Sequence, residues 1–319
     1  MGQDFVFKRT CQLSEDDKSQ IVELFFRVFG RRMSHEDFNR KYLRTPLGYS
    51  YHGLMIVDGV VTGAYNVIPY RYSYFGEEIV FGLSVDTMVA KEYRGGPFNV
   101  GRMAALVYEA AQKDGIPFVF GFPNDEAYEF TRKVLKWRDI GELDFYILPR
   151  NIGAVIPKLH FANRLSRAFA AGLVHLPTFR DSVETGYNIE KVCDGDFEAH
   201  RYDGQYDVIE TRQGGKCVYR ICTEEHGIRT LHVVDVYPLK YALFEEAIRE
   251  LYSRHAKSID VMLYVGRLAF APRRLIRVPR SRRPQRVRMC GKLLTSGSVD
   301  ERVFRIENWN VNISNFDVR

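Results

Sequence analysis

LSVDTMVAKEYRGGPFNVGRMAALVYEAA, residues 83–111, joins a strand-like run (83–89) to a helix-like run (99–113) through a turn holding Arg94, Gly95, Gly96 and Gly101. In such a strand–turn–helix unit the first backbone N–H groups of the helix lack intrahelical partners, and the helix dipole favours negative charge beside them. The stretch therefore reads as a cradle for phosphate oxygens.

Working outward, residues 14–29 read as a helix, with Ser14 as N-cap, Asp17 at the third helical position and Gly30 as the stop. Ser34 caps a second helix over 35–43. Residues 51–57 and 60–69 flank Asp58-Gly59, a strong hairpin signal, and 70–75 and 78–83 flank Gly76. After the glycine turn come a short buried strand (118–121), a helix opened by Asn124 and a strand over 145–148. Residues 154–173 read as an amphipathic helix with Lys158, Arg164 and Arg167 on its polar side, taken as a connector. Its apolar residues are mostly small, which argues against a membrane-surface helix. Beyond 192, strands at 216–223 and 230–237, a helix at 241–255, and strands at 260–265 and 289–295 repeat the alternation without a second glycine turn. The expected division is 1–150, a connector at 151–190, and a second unit at 191–319.

The chain has 319 residues, 45 % of them hydrophobic and 13 % aromatic, enough for two real cores. It has no apolar run long enough to span a membrane, and the N-terminus lacks a signal-peptide centre. Position 6 is Val, against myristoylation. The five cysteines form no CxxC pair, the eight histidines no HExxH, and no Cys/His cluster is visible. Reduced thiols in a cytoplasmic protein, with no metal, are expected.

The net charge of +6 is local. Residues 273–288 contain Arg273, Arg274, Arg277, Arg280, Arg282, Arg283, Arg286 and Arg288, and without this block the chain is slightly acidic. Pro279 and Pro284 imply an exposed loop. No aromatic residue is interleaved, so base stacking is unsupported and nucleic acid is a lesser expectation. A solvated loop or a surface for a phosphorylated acceptor fits better.

A nucleotide P-loop is excluded: Gly96 to Gly101 has the GxxxxG spacing, but Arg102-Met103 stands where Lys and Ser/Thr would reach the terminal phosphates and the magnesium ion. The GxGxxG order of a dinucleotide fold is absent, and the upstream strands read as antiparallel hairpins. Two readings remain from the residues alone: a coenzyme A pyrophosphate cradle, or a tight turn that binds nothing.

Tyr93-Arg94-Gly95-Gly96, behind a strand and ahead of an amphipathic helix, resembles the acetyl-CoA loop of the GNAT N-acetyltransferase family. LFFRVFGRRMSHEDFNRKYLRTPLG (24–48) and FGFPNDEAYEFTRKVLKWRDIG (120–141) resemble flanking regions of a bacterial branch of that family. The resemblance covers roughly residues 5–150. The family usually reads R-G-x-G; here that glycine position is Pro97, which has no N–H to donate.

The resemblance implies an α/β fold: a mixed, mostly antiparallel sheet flanked by helices, with a second, degenerate GNAT-like lobe. It implies acetyl transfer from acetyl-CoA to an amine by direct attack, with an amino sugar as one acceptor class. An aminoacyl-tRNA-dependent transferase and a non-catalytic CoA-ester or anionic-polymer module are the alternatives. The strand 85–89 would bond the pantetheine arm through Met88 and Val89. Arg94, Gly95, Gly96, Phe98, Asn99 and Gly101 would meet the pyrophosphate, and Asn124 would cap the next helix and bond the arm. Tyr128 would protonate the departing thiolate, a phenol matching its basicity. Asp86 is the first choice of general base, on the expectation that alternation from buried Val85 turns it toward the acceptor. Glu77, Asp125 and Glu126 are the alternatives.

Overall fold

The computed structural model describes residues 2–95, 97–177, 186–202 and 204–316. Along the chain run β1 (Gln3–Arg9), α1 (Glu15–Phe29), α2 (His35–Tyr42), β2 (Tyr51–Val57), β3 (Val60–Tyr74), β4 (Glu77–Val89), α3 (Pro97–Lys113), β5 (Phe118–Gly121), α4 (Asp125–Lys133), β6 (Arg138–Glu142), β7 (Asp144–Pro149), α5 (Ile152–Val155) and α6 (Asn163–Val174). There follow β8 (Ile189–Lys191), α7 (Gly195–Arg201), β9 (Asp207–Glu210), β10 (Lys216–Thr223), β11 (Arg229–Tyr237), α8 (Tyr241–His255), β12 (Val261–Gly266), β13 (Ile276–Arg277) and β14 (Arg288–Leu293).

Local chemistry sets many of these boundaries. Ser14 and Asp17 form a reciprocal capping box at α1, Ser34 and Asp37 another at α2, and Gly30 ends α1 in the left-handed region at φ 69°. Asp58 and Gly59 both have positive φ (49° and 84°), as do Phe75 and Gly76 (51° and 91°), the type I′ signature of two-residue hairpins. The two strands expected on either side of Pro69 form one, β3. Pro69 is tolerated because β2 pairs with β3 only as far as Val67 and β8 only from Tyr72, so its missing N–H falls in the gap between them.

The chain forms two compact units. The first comprises Met1–Glu142, Asn188–Arg201 and Val287–Asn308; the second comprises Leu143–Tyr187, Tyr202–Arg286 and Trp309–Arg319. This differs from the contiguous division at 150 and 190. The strand expected at 289–295 in the second unit is β14, and it lies in the first sheet between β5 and β6, antiparallel to both. Met289 and Cys290 are fully buried there. Apolar burial and backbone pairing, rather than chain proximity, place it.

The first unit's sheet has the order β1-β2-β3-β4-β5-β14-β6, with β8 added to the far end of β3. Only β4 and β5 are parallel, and α3 makes the crossover between them. Met103, Ala104, Val107 and Ala111 of α3 pack against Tyr51, Met55, Tyr65 and Val119 of the sheet.

The second unit's sheet has the order β13-β7-β12-β11-β10-β9. Here β9, β10 and β11 are antiparallel, α8 crosses over, and β12 returns parallel to β11. This repeats β2-β3-β4-α3-β5 of the first unit. Even the bulge recurs: Val218 faces Asp235 and Tyr219 faces Val233, leaving Val234 as the extra residue. The second lobe is degenerate for two visible reasons. No glycine turn lies between β11 and α8. The gap beyond the paired part of β11 and β12 is filled by residues 311–314: Asn312 bridges Gly266, and its amide donates to the buried Asp235 carboxylate at 2.7 Å, which also accepts from Tyr202 at 2.6 Å.

The expected connector is divided: its described part up to Tyr187 falls in the second unit, and 188–190 in the first. It is α5, a 3-10 segment (Pro157–Ala162) and α6 rather than one helix. Ala170 and Val174 face the core, while Phe161, Leu165 and Phe169 are exposed, so its outer residues are not small.

The arginine block is also not a simple solvated loop. Arg274 is buried: its guanidinium donates to Glu245 at 2.5 Å and to the carbonyls of Val174 and Leu176. Arg277 and Arg283 both pair with Asp144 within the second unit. Arg288, in the first unit, pairs with Asp125 at 2.6 Å. Arg274, Arg277, Arg283 and Arg288 thus meet carboxylates, and Arg273, Arg274 and Arg283 donate to backbone carbonyls.

Candidate active site

The site begins where β4 and β5 part. They pair only at Gly82–Val119 and Leu83–Phe120; β5 then ends at Gly121 while β4 continues to Val89. From Ser84 onward β4 has no partner strand on that side among the described residues. Its alternate N–H and C=O groups there are open to an extended ligand.

A bulge follows the separation. Val85 faces Asn66 and Met88 faces Ala64, so Asp86 and Thr87 together oppose Tyr65. Asp86 has φ 43°, a left-handed value that a non-glycine residue holds only when its surroundings fix it. The surroundings do so. The Asn66 amide donates to the Asp86 carbonyl at 3.0 Å, and the Asn66 oxygen lies 2.8 Å from His52 Nδ1. His52 Nε2 lies 2.9 Å from the Thr10 hydroxyl. Since the Asn66 nitrogen serves Asp86, His52 donates through Nδ1, and in the neutral ring Nε2 is then the acceptor. Complete burial drives its pKa down to about 4, against a smaller opposing effect of Asn66, in keeping with that assignment.

The Asp86 carboxylate does not follow the alternation expected from Val85, because the bulge interrupts it. It accepts from the Tyr42 hydroxyl and from Lys41 Nζ at 2.5 Å, both on α2. This places it in an ion pair.

Beyond Val89, a 3-10 turn (Lys91–Tyr93) carries the chain into α3. Arg94 folds back, its Nε donating to the Val89 carbonyl at 2.9 Å. Asn99 braces the turn from the other side: its amide donates to the Tyr93 carbonyl at 3.1 Å, and its oxygen accepts from Gln3 at 3.2 Å. The first turn of α3 holds no acidic residue. Gly95 is exposed, and a Cβ built there meets nothing within 4 Å. Phe98 is exposed, so its side chain does not close the cradle. Gly101 lies one turn into α3. Gly96 lies outside the described residues. Met88 is buried and Val89 half-buried at the end of β4.

Asn124 caps α4 as expected, accepting from the Ala127 N–H at 2.8 Å. One turn on, the Tyr128 hydroxyl donates to Asp139 on β6 at 2.8 Å, and Arg288 lies 4.2 Å from its ring centre. Burial first, then the Asp139 carboxylate, raise the pKa of the phenol. Tyr128, Val89, Tyr93 and Val100 all pack on one apolar cluster, so the turn, the end of β4 and α4 converge. Asp86 is tied instead toward α2, and no hydrogen bond joins it to Tyr128 among the described residues.

Sequence reasoning missed a buried polar chain below the parting strands. Tyr65 and Tyr108 share a hydrogen bond at 2.9 Å, and Trp137 Nε1 donates to Tyr108 at 2.8 Å. Burial raises the Tyr65 pKa to about 12 and that of Tyr108 well above its ordinary value. These are three aromatic residues among many, and no spacing marks them.

A mixed sheet whose parallel strands part beside a strand–turn–helix cradle is the architecture of the GNAT N-acetyltransferases. Residues 9–134 match the family model for the acetyltransferase (GNAT) domain, which supports an enzyme of the N-acetyltransferase type. Its fold is similar to that of a probable N-acyltransferase from Enterococcus faecalis V583, at 13 % identity and TM-score 0.59, covering 92 % of this chain and 73 % of that one. It is similar also to GCN5-related N-acetyltransferases from Anabaena variabilis (13 %, TM-score 0.58, covering 91 % and 73 %) and Kribbella flavida (14 %, TM-score 0.59, covering 91 % and 71 %). No curated protein matches the chain in sequence. No described helix is long and apolar enough to cross a membrane.

Proposed function

We propose that the chain transfers the acetyl group of acetyl-CoA to the amine of a small acceptor, with amino sugars as the first class to test. The observation that carries this reading is the open edge of β4 running directly into a turn, whose one acidic residue, Glu92, is paired with Arg27, and then into a helix start free of acidic side chains. Backbone donors and Arg94 there suit a pyrophosphate, and the open edge at Met88 and Val89 suits an amide-bearing arm. When bound, the thioester supplies the acyl group and a thiolate leaving group. Tyr128, its pKa raised, stays protonated at neutral pH and serves as the acid for that thiolate. Asp86, engaged by Lys41, fits a positioning role: it anchors the bulge that aims the amides of β4. The amine then loses its proton to solvent.

Calorimetry with acetyl-CoA tests the reading. Micromolar binding is expected, weakened at least about tenfold by Gly95→Glu, since the added carboxylate repels phosphate and position 95 has room for it. Wild-type protein that binds no acetyl-CoA refutes the reading. Binding without turnover across an amine panel favours a sensor, and salt-sensitive tRNA binding favours aminoacyl transfer.

A further inference from the structure

Cys222 and Glu224 stand two residues apart, and the pairing of β10 with β11 brings His232 to them in the second unit. The strand register pairs Arg220 with His232 and Cys222 with Thr230, so these four side chains project from one face of the sheet. β9 covers β10 only from Lys216 to Tyr219, which leaves the edge at Cys222 open among the described residues. Glu224 lies just past the strand end, where its N–H donates to the Ile228 carbonyl at 2.8 Å and its own carbonyl accepts from Gly227 at 3.2 Å. Its Oε1 lies 2.7 Å from His232 Nε2 and 3.2 Å from Cys222 Sγ, and all three ligand atoms fall within 4.8 Å of one another.

We propose that Cys222, Glu224 and His232 form a zinc site with three protein ligands and a fourth position open to water. Zinc bonds of about 2.0–2.3 Å in a tetrahedron set ligand atoms about 3.3–3.6 Å apart. The Cys222 spacing nearly meets this already. The Glu224–His232 spacing must widen by about half an ångström, and Glu224, on the exposed turn, is the arm with freedom to move. The charges also close. One thiolate and one carboxylate neutralise the dication, and His232 binds as a neutral imidazole. Burial favours that neutral form by lowering the His232 pKa, against the opposing pull of Glu224. Burial, then Glu224, holds the free Cys222 thiol up at about 11, so binding requires the ion to displace the proton: the S–H bond breaks, an S–Zn bond forms and one proton leaves to solvent. Arg220, on the same face, acts on all three groups, and it faces a neutral rather than a cationic cluster once the site is filled. The site stands on the second unit alone and does not depend on acetyl transfer.

Cobalt titration of the chelator-treated full chain tests it. The expected result is a near-ultraviolet thiolate-to-cobalt band with intense four-coordinate visible bands, displaced by zinc. Both should vanish in Cys222→Ser and in His232→Ala while far-ultraviolet circular dichroism is unchanged, and zinc affinity should fall by about 100-fold. Cys193→Ser should leave the spectrum intact. Calorimetry in buffers of different ionisation enthalpy should show about one proton released per zinc. Absence of a thiolate band, or its persistence in Cys222→Ser, overturns the proposal.

Discussion

Tyr128 shows how a residue's role depends on what its polar atom touches. A phenol on a helix surface is ordinary, and nineteen tyrosines occur in the chain. This one directs its proton at Asp139 while its ring meets the Arg288 guanidinium, so it is both fixed and electrostatically poised. In Tyr128→Phe, kcat should fall by about 100-fold or more with KM little changed, because only the proton donor is lost. Steady-state kinetics across neutral pH checks this, and an unaltered kcat removes Tyr128 from the mechanism. The same variant should unfold within about 1 kcal/mol of wild type, since one partly exposed hydrogen bond is removed.

Among the elements, α3 decides where the cradle sits, and a glycine on β2 decides where α3 sits. A Cβ at position 53 would lie 2.3 Å from the Met103 carbonyl oxygen on α3. That atom is backbone and cannot rotate away, so any side chain there must push the helix outward. Gly53→Ala should cost about 1–3 kcal/mol in urea unfolding and should weaken acetyl-CoA binding as well, because the start of α3 moves with the rest of the helix. Loss of stability with unchanged affinity would show that the turn is held by Asn99 and Arg94 alone. The second unit's counterpart, α8, is held differently: its Glu245 takes the buried Arg274 guanidinium. A buried pair of this kind is costly to break from one side, which explains why part of the arginine block is structural.

For the whole molecule, the buried His52 network links the folding of the first unit to pH. The unfolded chain protonates this histidine near its ordinary 6.5, the folded chain only near 4. Between those values the unfolded state binds more protons, so stability is fully present above about 6.5 and declines as pH falls toward about 4. The total loss is about 3 kcal/mol. Urea unfolding at several pH values should show this decline, and His52→Gln should flatten it relative to wild type. Equal pH slopes in the two proteins would contradict the assignment.

Local signals were legible because they act over a few residues. The capping boxes at Ser14 and Ser34, the Asp58-Gly59 hairpin, the Asn124 cap and the helix at 241–255 all depend on neighbours within a turn, and all formed. The glycine turn left two readings open, and only together with the stretches at 24–48 and 120–141 did it carry the resemblance to the family. Tertiary structure alone decided the rest. Whether β14 joins the first sheet depends on pairing with β5 and β6, more than 140 residues away. The bulge at Asp86 depends on Asn66, His52 and Thr10 meeting across strands, and simple alternation could not foresee it. His232 reaches Cys222 and Glu224 only through the β10–β11 register, so the sequence showed no Cys/His cluster. The physical reason is the same in each case: hydrogen bonds and ion pairs form between groups that are close in space, and only the strands that need not be neighbours in sequence make them so.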